Sequence, residues 1–508
     1  MVQTDLFESL APSPALSDRR LAMEIFKHAP DVSRDGLSVR TCGWLPARRI
    51  DSAGHTHIDQ RAIFWLALPL MVSSAVQIVL GVTDMWFIGR ISTQALAAVG
   101  AVQSLMNAIL MVLGGGAMAV QAIVARSFGA RCYVRAAKAV WTGLWATLCI
   151  APLLIGIAAS SAVILTPLKL NPEIETLASA FWFPRMAGSS LGIAGSAVLG
   201  YFCGIGQPRV TLLVTGVVAV VNALFNQFFI FHLGLGVAGS GWASTAAQGI
   251  GLLLAMATFL SRGYRRVYKP QLTWRLHVVD FWSQLRMGFT IGLLPAADML
   301  AFWFFQVMQV RYDTVGGAAT QMVAVLGSIA SIPGLGLASA GMTLVGQSIG
   351  AGDRNWASRL GTYAILQTAV YMGGIGAILA FSGPWILPWF ASGHDAVSGA
   401  VIALGTHLVW FNLGCQFFDG LYFGSSLCLR AAGDVTVPAA LALPLAWAMF
   451  LPLAQSLTFP PGGGQFEFLP QFGLGTAGGW AAVLVYSTLI GSALFLRWQL
   501  GTWRKIRA

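Results

Sequence analysis

Beyond residue 60 the chain alternates long apolar runs with short polar connections. The runs recur twelve times, over residues 62–88, 96–118, 139–165, 177–203, 209–232, 238–260, 282–310, 317–345, 358–386, 397–428, 434–458 and 475–498. A helix needs about 20 apolar residues to cross a bilayer core about 30 Å thick, and each run is long enough. Gly and Pro inside the runs would break a soluble helix, but spanning helices tolerate them. The pattern predicts an all-α membrane protein with twelve transmembrane helices. Residues 1–60 differ. They hold eight of the nineteen acids, lack an apolar run of signal-peptide length and read as a disordered tail. Within them only "DRRLAMEIFKH" has the makings of a short amphipathic helix.

Composition agrees with the pattern. Of 508 residues, 56% are apolar and 10% charged, against roughly 25% charged in soluble chains. A soluble protein is thereby excluded. The basic residues set an expected orientation. Arg126, Arg131, Arg135 and Lys138 lie between the second and third runs, and Arg262, Arg265, Arg266, Lys269, Arg275 and Arg286 between the sixth and seventh. Loops on the opposite side hold little beyond Arg90, Lys169, Arg185 and Arg311. Both termini are therefore expected in the cytoplasm, with the chain in the cell (inner) membrane. The net charge of +11 follows from this bias and does not indicate nucleic-acid binding. Six cysteines without a CxxC pair make a disulfide or metal framework an unsuitable reading.

The chain also repeats itself. "VARSFGARCYVRAA" (124–137) aligns with "VGQSIGAGDRNWAS" (345–358), "GLGVAGSGWA" (234–243) with "GLGTAGGWA" (473–481), and "GIGQPRVT" (204–211) with "RAAGDVTV" (430–437). One unit is six spans. Six is even, so the two units enter the membrane in the same sense, related by a pseudo-two-fold axis along the membrane normal. The expected organisation is a tail (1–60), a first six-helix lobe (61–262), a linker (263–281), a second lobe (282–498) and a short tail (499–508). Two facing bundles suit a transporter that rocks about a central cavity.

Five polar side chains inside the spans need explaining. Asp84 lies in the first, Asn222 and Asn226 in the fifth, Asp298 in the seventh and Asp419 in the tenth. An ionisable group at such depth costs about 2.5–3.5 kcal/mol on insertion scales, so it is held by a partner, an ion, a proton or a function. Asn222 and Asn226 are four apart and share a helix face. With Asp84 they offer either an oxygen cage for Na⁺ or a cradle for a protonated carboxyl, and Thr245 in the sixth span adds a hydroxyl. The plainer readings are an interhelical hydrogen bond for the amides, worth about 0.6 kcal/mol, a structural pair with Arg90 for Asp84, and one with Arg430 for Asp419. Asp298 and Asp419, without a fixed cation beside them, suit a proton carrier or a site for a cationic compound. Asp313, Asp353, Asp395 and Asp434 read as solvated loop residues. No nucleophile–base pair or P-loop is present. An enzyme is not indicated, and the driving force must be an ion gradient or the membrane potential.

Several stretches resemble the multidrug and toxic compound extrusion (MATE) family of cation-coupled antiporters, over roughly residues 60–500. They are "LPLMVSSAVQIVLGVTDMWFIGRISTQALAAVG", with Pro69 fifteen residues before Asp84, "GIGQPRVTLLVTGVVAVVNALFNQFFIFHLGLGVAGSGWAST", "IPGLGLASAGMTLVGQSIGAGD" and "QFFDGLYFGSSLCLRAAGD". The resemblance implies that Asp84, Asn222 and Asn226, with Thr245 as a fourth member, form the cation site of the first lobe. It also implies that Asp419 and Asp298 serve the second lobe, as in the NorM-like branch. Two departures stand out: "GFT" (288–290) lacks a proline that this branch carries, and Asn226 stands where some relatives have Asp. The implied activity is export of organic, cationic or amphipathic compounds in exchange for Na⁺ or H⁺, without a cofactor. The implied partners are small substrates and membrane lipids, and the expected state is a monomer. The alternative is a flippase for lipid-linked substrates, which would want a basic cavity; here Arg185 is the one in-span cation.

Overall fold

A computed structural model describes residues 45–50, 55–166, 171–389, 396–462 and 470–506. Twelve helices are long and apolar enough to span a membrane. In chain order they are α1 (Gln60–Gly89), α2 (Thr93–Gly129), α3 (Tyr133–Ala159), α4 (Pro172–Gly204), α5 (Pro208–His232), α6 (Gly236–Phe259), α7 (Val278–Tyr312), α8 (Thr314–Gly350), α9 (Arg354–Ile386), α10 (Ala396–Ala432), α11 (Thr436–Thr458) and α12 (Gly475–Gln499). The apolar runs locate every one. The ends differ where polar residues continue the helix past the apolar stretch. Helix α2 reaches Gly129, beyond the apolar limit at 118, because "AVQAIVARSFG" keeps good helix formers after it turns mixed. Helix α3 starts earlier, at Tyr133, and stops at Ala159; Ser161–Leu165 form a separate short helix.

Starts and stops have local causes. Side chains of Asp59, Ser92, Asp313 and Asp353 each accept a hydrogen bond from a backbone N–H of the first turn they precede, at 3.2, 3.0, 3.0 and 2.8 Å. Asp313 and Asp353 are thus helix caps and not merely solvated residues. Helices α4 and α10 are followed by glycines in the left-handed region, Gly206 (φ 80) and Gly433 (φ 86), which turn the chain tightly into α5 and α11. These two glycines close equivalent turns, each donating its N–H to the carbonyl three residues back (Cys203 O and Arg430 O, both 3.0 Å), which shifts the aligned repeat by one residue. A second match is a π-helical turn in each half, Gln227–His232 in α5 and Leu445–Phe450 in α11. Such turns widen a helix and often mark functional positions.

The helices form two six-helix lobes. The first is packed around Phe181, Trp182, Tyr201, Phe202 and Phe259, and the second around two clusters, one containing Phe305, Phe450 and Trp480 and the other Trp498 and Trp503. The lobes meet along α1–α8 and α2–α7–α8. A Cβ on Gly115 would lie 1.9 Å from Gly288 O, and one on Gly129 1.9 Å from Gln347 O, so backbones touch there and only glycine fits. Polar bonds stitch the same seam. Gln121 Nε2 donates to Ser339 Oγ (2.9 Å) and Thr343 Oγ1 (3.0 Å), and Gln347 Nε2 donates to Gly204 O (2.9 Å). All these contacts lie in the half of the bundle nearest the start of α1.

That end carries a feature which contradicts the expectation of a disordered tail through residue 60. Strands β1 (Arg48–Ile50) and β2 (Thr56–Ile58) pair antiparallel immediately before α1. Leu45, Ala47 and Ile58 pack on a small core formed by Ile63, Leu344, Trp356 and Leu360, and Trp356 Nε1 donates to Pro46 O at 3.0 Å. An apolar residue every few positions in "LPARRI…THI" gives this stretch surface to bury against α8 and α9. The stretch "DRRLAMEIFKH" lies outside the described residues. The segment after α6 is likewise tied down: Trp141 and Trp145 of α3 donate their indole N–H groups to Pro270 O (2.9 Å) and Trp274 O (2.8 Å).

Candidate functional site

In the first lobe α1, α5 and α6 bring four side chains together. Asp84 Oδ1 accepts from Asn226 Nδ2 at 2.7 Å, and Asp84 Oδ2 accepts from Ser244 Oγ at 3.1 Å. Asn226 Nδ2 also reaches Asn222 Oδ1 (3.0 Å), and Asn222 Nδ2 donates to Ser244 Oγ (3.1 Å). Asn222 and Asn226 are both 0% exposed. The spacing of four places them one above the other, and the π-helical turn begins directly after Asn226. Hydrogen bonds to a charged carboxylate are roughly twice as strong as neutral ones. Two of them, from neutral donors, hold Asp84 without a fixed countercharge in contact.

The structure corrects two expectations here. Thr245 is not in the cluster: its hydroxyl donates to Pro184 O of α4 at 2.9 Å, and the preceding residue, Ser244, takes the place beside Asp84. Successive residues on a helix point about 100° apart, so one position decides which side chain faces α1. Nor does Arg90 serve Asp84. Its guanidinium lies over the rings of Trp86 (5.1 Å) and Phe231 (5.9 Å), a cation–π pair at the helix end.

Asp84 lines a half-open cavity of about 770 Å³ bordered by α1, α2, α4, α5 and α6. Its wall is mostly apolar, with amides from Gln77, Gln103, Asn107 and Gln248. Among the described residues lining it, the only charged ones are Asp84 and Arg185. Arg185, mid-way along α4, is an in-span residue and not a loop cation.

In the second lobe α7, α10 and α12 converge on Asp298. Its Oδ1 accepts from Tyr486 OH at 2.7 Å, and its Oδ2 accepts from Tyr422 OH. Asp419, three residues before Tyr422 on the same helix face, lies near Ser487 of α12 and close enough to Asp298 to feel its charge. The structure therefore places the two in-span acids predicted for this lobe near one another. Sequence reasoning missed Ser244, Ser487 and both tyrosines. The i, i+3 spacing of Asp419 and Tyr422 is the one signal that pointed to any of them. Asp434, expected in solvent, is 3% exposed and paired with Arg497 (3.0 Å), because the turn at Gly433 folds it back over α12. Arg430, eleven residues after Asp419 on α10, makes no ion pair with it among the described residues and lines a small crevice with Thr290, Ser426 and Asp434.

Twelve spans in paired lobes, each with a carboxylate held by neutral donors inside it, define a secondary transporter of the membrane. The chain belongs to the MatE family, whose model matches residues 69–228 and 297–449. It is similar to the "Probable multidrug resistance protein NorM" of Agrobacterium fabrum, with 27% identity over 82% of this chain and 91% of that one. The protein of the same name in Rhizobium meliloti is 26% identical over 88% and 94%. Its fold matches a crystal structure of MATE in the straight conformation (TM-score 0.76, 18% identity, 87% of this chain and 96% of the other). It also matches an outward-facing MATE family transporter (TM-score 0.74, 18% identity, 87% and 96%).

Proposed function

We propose that the protein is a multidrug efflux antiporter that exchanges organic, cationic or amphipathic compounds for protons by alternating access. It acts as a monomer in the cell (inner) membrane with both termini in the cytoplasm. The observation that carries this reading is Asp84: a carboxylate at the wall of a mostly apolar cavity, held by two neutral donors. Such a group binds a proton or a cationic substrate, but not both at once, and competition for one site is sufficient for coupling. A proton is favoured over Na⁺ by the chemistry of the cluster. The oxygens of Asp84 face an amide N–H and a hydroxyl, the amide nitrogen of Asn226 occupies the oxygen of Asn222, and a guanidinium shares the cavity, which leaves Asn226 Oδ1 as one free oxygen in the cluster. A sodium site needs several free oxygens converging on one point.

With the termini in the cytoplasm, the lobes are closed on the cytoplasmic side along the Gly115–Gly288 and Gly129–Gln347 contacts, and the Asp84 cavity lies in the outer half of the first lobe. Proton uptake there neutralises Asp84 and displaces the substrate. Helix α1, which contains Pro69, then repacks on α8 as the seam opens. The second lobe's acids provide a second site for a proton or for substrate. A flippase for phosphate-bearing lipids is less well supported, since the cavity's single base is balanced by a single acid.

The test is efflux of ethidium from energised vesicles with Na⁺ and H⁺ gradients imposed separately. The proton gradient alone is expected to drive it, and Asp84→Asn to abolish it. Efflux driven by Na⁺ alone, or normal transport by Asp84→Asn, would overturn the reading.

A further inference from the structure

We infer that Arg185 makes the first-lobe cavity selective for zwitterionic compounds, ones that carry an acidic group as well as a basic one. The inference rests on the antiporter reading and names the substrate class of the same site. Among the described residues Arg185 and Asp84 are the only charged groups on the cavity wall, one of each sign. They sit on facing helices, α4 and α1, near enough to act on each other electrostatically. The Nη1 atom of Arg185 is buried and has no hydrogen-bond partner among the described residues. A guanidinium nitrogen left so is costly unless something visits it. Gln248 Oε1, on the same wall, is also buried and unpartnered. The cavity thus offers a guanidinium fork for a carboxylate, and an acid with an amide oxygen nearby for an ammonium.

The surrounding helix keeps Arg185 in place. Pro184 removes one backbone donor from α4, Thr245 donates to Pro184 O (2.9 Å), and Ser189 donates to Arg185 O (2.5 Å). Thr245, which sequence resemblance placed in the cation cluster, is on this reading a positioning residue for the arginine's turn.

Linkage separates a zwitterion from a simple anion. An anion on Arg185 alone would bind more tightly once Asp84 is protonated, because a nearby negative charge disappears. Proton and substrate would then travel together, the opposite of exchange. A compound whose ammonium occupies Asp84 competes with the proton and keeps the antiport sign, while its carboxylate is held by Arg185. A purely cationic compound satisfies Asp84 but places its charge near the guanidinium.

Three fluorescent probes on one scaffold test this: Nα-dansyl-lysine (carboxylate and ammonium), its methyl ester (ammonium only) and its Nε-acetyl derivative (carboxylate only). Binding is measured to the purified full chain in nanodiscs. The wild type is expected to bind the zwitterion about tenfold more tightly than either singly charged probe, the worth of one charge-assisted hydrogen bond. Arg185→Gln is expected to weaken the zwitterion by a similar factor and to tighten the methyl ester, inverting their order; Arg185→Lys keeps the wild-type order with a smaller ratio. Changes of opposite sign in two probes separate charge recognition from misfolding, which weakens both, and an unchanged gel-filtration profile checks the fold. Should Arg185→Gln not fold, the wild-type ratio and Arg185→Lys decide. Equal affinities in the wild type, or equal losses for both probes in Arg185→Gln, overturn the inference. Loss of proton-driven ethidium efflux in the wild type would instead strike the antiporter reading, which the binding ratios do not depend on.

Discussion

The two lobes repeat one fold but hold their carboxylates with different chemistry. In the first lobe Asp84 is cradled by an amide and a serine, beside a cavity that contains a guanidinium. In the second, Asp298 is cradled by two phenols, with a second acid, Asp419, close by. The frame around both is shared: an acid on the first helix of the lobe, a π-helical turn in the fifth, and a hydrogen-bonding hydroxyl from the sixth, Ser244 in one lobe and Tyr486 in the other. Duplication has preserved backbone geometry while the titratable groups diverged. In α11 the widened turn follows Pro444, whose missing N–H breaks the helical ladder, whereas in α5 it follows Asn226 without a proline. The first lobe thus spends an irregularity on the residue that touches its acid. On the proposed function this difference corresponds to a division of labour, with coupling centred on Asp84 and the second lobe's acid pair in support.

The largest effect that can break this comparison comes from exchanging the acids for their amides. Asp84→Asn is expected to reduce gradient-driven ethidium efflux to background, while Asp298→Asn lowers it by about fivefold, the small end of a typical coupling factor. Vesicle efflux rates at matched protein levels check this, and equal losses would erase the asymmetry. Removing a donor from each cradle sharpens it. Ser244→Ala and Tyr422→Phe each leave a partly buried carboxylate one hydrogen bond short, at about 1 kcal/mol. Thermal unfolding should record both losses, but only Ser244→Ala is expected to depress efflux strongly. The smallest effect concerns the β1–β2 hairpin that ties α1 of the first lobe to α9 of the second. Trp356→Phe removes the hydrogen bond to Pro46 O, worth about 1 kcal/mol. Hydrogen exchange in residues 45–58 should then quicken while residues around Asp84 keep their protection.

Most of this asymmetry was not legible in the sequence. The twelve spans were, because lipid imposes long apolar runs on every helix it surrounds. The acids were too, since a charge in such a run is conspicuous. Asn222 and Asn226 were readable as a pair because spacing of four fixes a shared face. What decides between Ser244 and Thr245 is helix rotation, which neighbouring hydroxyls do not reveal. Tyr422 and Tyr486 look like ordinary interfacial aromatics until α7 is placed between them. Arg185 reads equally well as a loop cation or a spanning one until α4 is seen to run from Pro172 to Gly204. The hairpin before α1 draws its stability from α8 and α9, three hundred residues away by the Trp356–Pro46 bond (a separation of 310), so local composition could not announce it.

The central claim is that Asp84 exchanges a proton for substrate. Its most direct test is proton release on binding: purified protein in weak buffer, mixed with ethidium, with a pH indicator reading the change. The account predicts a burst of close to one proton per ethidium bound in the wild type and none in Asp84→Asn. Binding without proton release in the wild type, or equal release by Asp84→Asn, would contradict it.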